Sequence, residues 1–198
     1  MEGEVERSLL VVISGPGGVG KDTVIEQLLE SSSRYCYSVS YTTRPQREYE
    51  VDGEHYSFVD VVTFQQMAQQ GALLEFATVN GHLYGTSEAR VEAAQRGGSD
   101  VILKIDVQGA DQVRQRRPDG VFIFIAPPSM EELIRRREER GSESPEEISR
   151  RQELAEWEMA FAKSYDHIVV NDELERAVAE IAWLLEQERQ IRCEPNHV

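Results

Sequence analysis

Leu9-Leu10-Val11-Val12-Ile13-Ser14-Gly15-Pro16-Gly17-Gly18-Val19-Gly20-Lys21-Asp22-Thr23 is the stretch from which the rest of the chain can be read. An apolar run is followed by two glycines bracketing four residues, then a lysine, then helical spacing through Val24, Ile25, Leu28 and Leu29. Strand, glycine loop and helix in that order bind a nucleoside triphosphate, because successive backbone N–H groups curl toward one point and the lysine reaches the outer phosphates. The helix also turns the positive end of its macrodipole toward the anion. Gly15, Pro16, Gly17, Gly18, Val19, Gly20 and Lys21 are therefore expected to cradle the phosphates. Asp22 stands where a hydroxyl normally serves as a magnesium ligand, and Thr23, one residue on, offers a hydroxyl instead.

Composition narrows the class of partner. The net charge of −15 argues against nucleic acid, whose binders present basic surfaces. Beyond about 8 Å that charge is largely screened, so affinity for an anionic substrate must come from local cations and loop dipoles. No apolar stretch reaches the roughly 18 residues of a membrane span, and the acidic start Met1-Glu2-Gly3-Glu4 is unlike a signal peptide. A cytoplasmic protein with no membrane partner is expected. Cys36 and Cys193 lack metal-ligand spacing and read as ordinary thiols. With 198 residues, 40% of them hydrophobic, the chain can build one sizeable core.

Apolar runs at residues 9–13, 101–105, 121–125 and 167–170 read as buried strands separated by helical or loop sequence, which predicts an α/β fold with a parallel sheet flanked by helices. Two stretches break the rhythm. Residues 38–87 are polar, rich in Tyr, Thr and Gly, and contain short alternating pieces that predict a small β-containing insertion. Residues 129–162 read as a helix pair: Ser129 with Glu132 forms a capping box, Gly141 ends one helix and Pro145 starts the next. Residues 189–198 are expected to fray.

The insertion holds a second candidate anion site, Ser38-Val39-Ser40-Tyr41-Thr42-Thr43-Arg44-Pro45-Gln46-Arg47. Two arginines three apart can grip a phosphate through their guanidinium forks, with Tyr56 and Tyr84 as phenolic donors; taken alone they also read as solvated surface charge.

From here the chain resembles guanylate kinase, over nearly its whole length. The likeness is carried by the glycine loop, residues 38–47, Val51-Asp52-Gly53-Glu54-His55-Tyr56, Glu75, Gly81-His82-Leu83-Tyr84-Gly85-Thr86, Ile105-Asp106-Val107-Gln108-Gly109, Phe124-Ile125-Ala126-Pro127-Pro128-Ser129 and Val169-Val170-Asn171-Asp172. The resemblance implies a P-loop core of residues 1–37, 88–128 and 163–198, a GMP-binding insertion at 38–87 and a helical lid at 129–162. It implies ATP and GMP as substrates and Mg2+ as cofactor. Arg44, Arg47, Tyr56 and Tyr84 would hold the GMP phosphate, and Ser40, Glu75, Thr86 and Asp106 would surround the guanine. Guanine chemistry points the same way: N1–H and the N2 amino group are adjacent donors that one carboxylate accepts together, and a hydroxyl such as that of Thr86 can donate to O6.

By the same resemblance Arg136, Arg140 and Arg151 are the phosphate-contacting arginines of the lid, catalytic together with Lys21, and Asn171 contacts adenine. From the residues alone, Arg136 and Arg140 also fit a charged helix face, and Asn171 also fits a strand-to-helix turn. Asp106 has two readings, contact with guanine or action through magnesium-bound water. Departures from the family pattern include Asp22, Lys104 where an acidic residue is usual, and Tyr49 where Gly is usual; the first two leave the metal ligands open. The competing function is a non-catalytic phosphopeptide-binding module of the same fold, against which the intact Gly15, Gly20 and Lys21 speak.

Overall fold

The computed structural model describes residues 8–138 and 145–193. One five-stranded sheet has the order β2-β7-β1-β8-β9, with β1 Leu10–Ser14, β2 Tyr35–Tyr37, β7 Asp100–Lys104, β8 Val121–Ala126 and β9 His167–Val170. The pairs β2/β7 and β8/β9 are parallel. Every residue of β1 and β8 is buried, as expected of strands covered on both faces. At the edge, β9 differs from its apolar appearance: Val169 is buried, whereas Ile168 is 48% and Val170 38% exposed. The other edge strand, β2, was not evident in the sequence because Tyr35-Cys36-Tyr37 is only half-buried.

By chain contacts the described residues divide into two compact units, one of residues 12–33, 121–138 and 145–193 and the other of residues 8–11 and 34–120. In the first, α1 Lys21–Ser31 follows the glycine loop and buries Val24, Ile25 and Leu28. The expected helix pair is α5 Met130–Glu138 and α6 Pro145–Ala160, the latter starting at its proline; Gly141 lies outside the described residues. Half of the capping box forms. Ser129 Oγ accepts from Glu132 N at 3.2 Å, but the Glu132 carboxylate turns to Arg135 and Arg136. A 3-10 turn, Ala162–Ser164, leads to β9, and α7 runs over Leu174–Cys193.

Residues 189–193, expected to fray, are thus helical. Arg189 is buried at 8% exposure and donates to Glu186, Arg192 pairs with Glu188, and Glu188 also meets His167 at 2.8 Å. A polar run that looked like a loose end is a helix face tied by pairs one turn apart. The link to His167 was invisible because its partner is 21 residues away.

In the second unit a four-stranded sheet has the order β4-β3-β6-β5, from β3 Tyr41–Thr42, β4 Ser57–Phe58, β5 Leu73–Val79 and β6 His82–Ser87. Helix α2, Val61–Gln69, is capped by Asp60, and α3, Glu88–Arg96, by Ser87. Helix α4, Val107–Arg116, follows β7 and is capped by Asp106. The β5/β6 hairpin turns at Asn80-Gly81 and carries a bulge: Leu73 pairs with Ser87, but Glu75, not Leu74, pairs with Thr86. The extra residue explains why Leu73, Leu74 and Glu75 are all buried in succession where a regular strand would alternate. Among the described residues no helix is long and apolar enough to cross a membrane.

Candidate active site

The glycine loop, expected to hold the donor nucleotide, belongs to the first unit. Gly15 has φ +148°, and a Cβ there would overlap the carbonyl oxygen of Ile125, so only glycine lets the loop lie against β8. Gly20, with φ +97°, caps α1 without any side-chain hydrogen bond, which leaves the first-turn N–H groups of the helix facing the loop. Val19 is wholly buried and anchors the loop from below. Its carbonyl accepts from Asn171 Nδ2 at 2.8 Å, while the backbone N of Asn171 donates to Ala126 O. Asn171, 6% exposed, is therefore a brace of the loop.

Lys21 Nζ donates to the carbonyls of Gly15 at 2.6 Å and Pro16 at 3.1 Å, folding its charge back over the loop. Asp22 and Thr23 are both exposed on the first turn of α1. Arg136 reaches the same region: Nη1 donates to Asn171 O at 3.0 Å and Nε to Glu132 at 2.7 Å. Its guanidinium, after that of Arg135, pulls the Glu132 carboxyl down to about 2. Arg140 lies outside the described residues; Arg151 lies on α6, with its side chain not described. One contact had no signal in the sequence. Glu158, on α6 and 8% exposed, accepts from the loop N–H of Gly17 at 3.3 Å.

The residues expected to surround the acceptor nucleotide belong to the second unit. Arg44, Tyr56 and Tyr84 come together: Arg44 Nε donates to Tyr84 Oη at 3.3 Å, its Cζ lies 5.5 Å from the Tyr56 ring centre, and the two tyrosine rings meet edge to face at 5.8 Å. The organiser of this group is Glu50, which sequence reasoning missed. Its carboxylate accepts from Arg44 Nη1 and Nη2 at 3.0 and 2.6 Å and from Arg47 N at 2.8 Å.

Arg44 also donates to Pro45 O. Four of its five N–H groups are therefore engaged, one Nη2 hydrogen remaining. The fork expected to grip phosphate in pairs is docked on Glu50, because a guanidinium with only 13% side-chain exposure needs a counter-charge. Hydrogen bonding by Arg44 in turn holds the Glu50 carboxyl below its usual range. Arg47 is exposed and donates through Nη1 to Tyr49 Oη at 2.7 Å. Lys104 stands 5.6 Å from the Tyr56 ring centre, which sets this unusual cation among the acceptor-half aromatics.

Glu75 and Thr86 lie side by side as expected, 3% and 0% exposed, and Thr86 Oγ1 donates to Glu75 Oε1 at 2.6 Å. The single hydroxyl proton of Thr86 is thus spent on the carboxylate, so toward O6 of a base it offers lone pairs rather than the expected donor. Burial, opposed by the Thr86 hydrogen bond and reinforced by the charge of Asp106, pushes the Glu75 carboxyl up to about 7. Asp106 is the N-cap of α4: Oδ1 accepts from Gly109 N at 2.8 Å and Oδ2 from Gln108 Nε2 at 2.9 Å. Ser40 is buried at 5% exposure, and its carbonyl accepts from Ser57 N.

Three residues of α4 bear on β5. Gln112 exchanges hydrogen bonds with both the N–H and the C=O of Phe76, and Arg116 Nη1 donates to the carbonyls of Leu73 and Leu74, at 2.8 Å each. Gly109 lies one turn before Gln112, against the Glu75 carboxylate. Only Gly109 stood within a recognised motif; Gln112 and Arg116 could not be distinguished from a solvated helix face.

Comparison with known proteins adds an independent line. The family model described as guanylate kinase matches residues 7–188. A guanylate kinase of Thermus thermophilus is 50% identical over 184 residues, spanning 93% of this chain and 83% of that protein. One of Desulfitobacterium hafniense is 47% identical over 186 residues, spanning 94% and 93% respectively. Among solved structures, guanylate kinase from Anaplasma phagocytophilum superposes with a TM-score of 0.80 at 32% identity, covering 97% of this chain and 92% of that one.

Proposed function

The chain belongs to the guanylate kinase family, and from that premise we propose that the glycine loop takes ATP while the group from Ser40 to Asp106 takes GMP. The enzyme is an ATP:GMP phosphotransferase, converting ATP and GMP, or dGMP, to ADP and GDP or dGDP. A phosphate oxygen of GMP bonds to the γ-phosphorus in line as the bond to the β-phosphate oxygen breaks, and ADP leaves. No protein nucleophile is required, so catalysis consists of positioning and charge stabilisation.

Each side chain has a role in that reading. Lys21 exchanges the carbonyls of Gly15 and Pro16 for phosphate oxygens, and Gly15 to Thr23 line the triphosphate. Arg136, with Arg140 and Arg151 from the lid at 129–162, meets the charge that develops on the transferring group. Asn171 braces the loop and offers Oδ1 to the adenine amino group. Arg44, through its one remaining Nη2 hydrogen, and Arg47, Tyr56 and Tyr84 meet the GMP phosphate within the insertion at 38–87. Ionised Glu75 accepts from N1–H and the N2 amino group of guanine, with Ser40, Thr86 and Asp106 around it. Asp22 and Thr23, two hard oxygen donors exposed at the open end of α1, fit Mg2+, which takes one or two carboxylates beside phosphate oxygens and water. Bound with ATP, the ion would neutralise phosphate charge. Nucleotide substrates and the free thiol of Cys36 suit a cytoplasmic setting.

The observation that carries the acceptor assignment is the buried Glu75–Thr86 pair. A site built to satisfy buried polar groups rejects a base lacking the matching donors by roughly 10⁴ to 10⁵. A coupled assay with ATP, magnesium and each of GMP, dGMP, AMP, CMP and UMP tests it. Turnover confined to guanine nucleotides is expected; turnover with none would move the reading to a phosphopeptide-binding module. In the same assay Asp22→Ser should shift the magnesium dependence, and an unchanged dependence would remove Asp22 from the metal's surroundings.

A further inference from the structure

Gly109 occupies a helical position that ordinary helix energetics does not explain. It lies in the first turn of α4, is buried, and has no left-handed backbone angle to require glycine. Alanine is the better helix former at such a place. What a methyl group would meet there is the Glu75 carboxylate: a Cβ on residue 109 would overlap Oε2 and lie 3.1 Å from Cδ, with Asp106 Oδ1 at 3.3 Å. We propose that Gly109 is a specificity-determining residue, whose missing side chain is the space in which Glu75 holds the orientation that reads the guanine edge. The inference rests on the assignment of Glu75 to guanine.

Two further observations fix which partner must yield if that space is filled. Helix α4 cannot back away, because Gln112 binds both backbone groups of Phe76 and Arg116 binds the carbonyls of Leu73 and Leu74. Glu75's own backbone is held in the β5/β6 ladder opposite Thr86. The freest element in the contact is the end of the Glu75 side chain, which is held by Thr86 alone, through its hydroxyl at 2.6 Å and its backbone N–H. A methyl on residue 109 therefore leaves the fold standing and swings the carboxylate off its aim. Gly109→Ala becomes a lesion in base reading rather than in folding.

The test is a double-mutant cycle between Gly109→Ala and Glu75→Ala, read by kcat/KM for GMP and for IMP, which lacks the N2 amino group, and by thermal melting. Gly109→Ala should lower the GMP-to-IMP preference on the order of tenfold, as loss of one hydrogen bond to a charged acceptor does, with KM for ATP unchanged. In the Glu75→Ala background it should leave the preference unaltered and raise Tm, since the obstacle is gone and the helix gains alanine. A full GMP preference in Gly109→Ala, with Glu75→Ala abolishing it, overturns the inference and leaves the guanine assignment intact. A preference that survives Glu75→Ala overturns the assignment itself. If Gly109→Ala lowers Tm in both backgrounds, the methyl clashes with something other than the carboxylate, and the inference fails.

Discussion

Glu75 and Glu50 show how two buried carboxyls of one unit are driven in opposite directions by their neighbours. Glu75 is pushed up to about 7 by burial, yet guanine's donors require the carboxylate. KM for GMP should therefore rise as pH falls below about 7, approaching tenfold per unit well below it. In Glu75→Gln that dependence should vanish, and a KM flat between about pH 5.5 and 8.5 in the native enzyme would count against the assignment. The stability linkage has the matching sign. Because the folded pKa exceeds the ordinary value of 4.5, the folded state holds the proton more tightly, and this contribution is full below about 4.5 and lost as pH rises through about 7. Glu50, held below its usual range by Arg44, contributes above the ordinary carboxylate range and loses that contribution as pH falls. Removing it strands a guanidinium of 13% side-chain exposure. Glu50→Ala should lower the unfolding free energy by about 3 kcal/mol, measured by denaturant titration, and a loss within experimental error would mean that solvent reaches Arg44.

At the scale of elements, Asn171 ties the end of β9 to the glycine loop and to α5. Asn171→Ala leaves the Val19 carbonyl without its donor inside the protein, a cost of about 1–3 kcal/mol. Because the loosened element is the glycine loop proposed to take ATP, KM for ATP should rise more than KM for GMP; equal effects on both would point to general destabilisation. The strands and helices around this site were legible from periodicity and from glycine spacing, as in residues 9–21, because those signals are local. Glu50, Glu158, Gln112 and Arg116 were not legible. Glu158, Gln112 and Arg116 each act through a partner brought near only by folding, 141 residues away for Glu158 and Gly17 and 36 for Gln112 and Phe76, whereas Glu50 has local partners in Arg44 and Arg47 but reads in sequence as one more loop charge. The bulge at Leu74 was hidden for a related reason: three buried residues in a row fit either a bulge or a strand covered on both faces, and only the pairing with β6 decides.

For the whole molecule the broadest influence is its charge of −15, which opposes compaction by self-repulsion. An exposed ion pair that could lose from screening, such as Arg96–Glu92, is worth little individually. Raising salt from about 0.02 to 0.2 M shortens the screening length to roughly a third. Tm should rise, and a fall would show that exposed pairs outweigh the repulsion. The fold class came through from sequence because parallel strands must be nearly continuous in apolar character. Of the edges, β9 was read as a strand but not as half-exposed, and β2 was not read at all, since edge strands obey no such requirement.

The bulge in the β5/β6 hairpin also decides where the chain can change length. Leu73 keeps its place opposite Ser87 and Glu75 its place opposite Thr86 whether or not a residue stands between them. A chain shortened by one at Leu74 would lose a buried side chain while preserving the pairing frame. A deletion between Phe76 and Val79 has no such slack, and would force every pair on one side of it to slip, turning side chains from one face to the other. The hairpin thus has a position where a deletion is register-neutral, immediately beside Glu75.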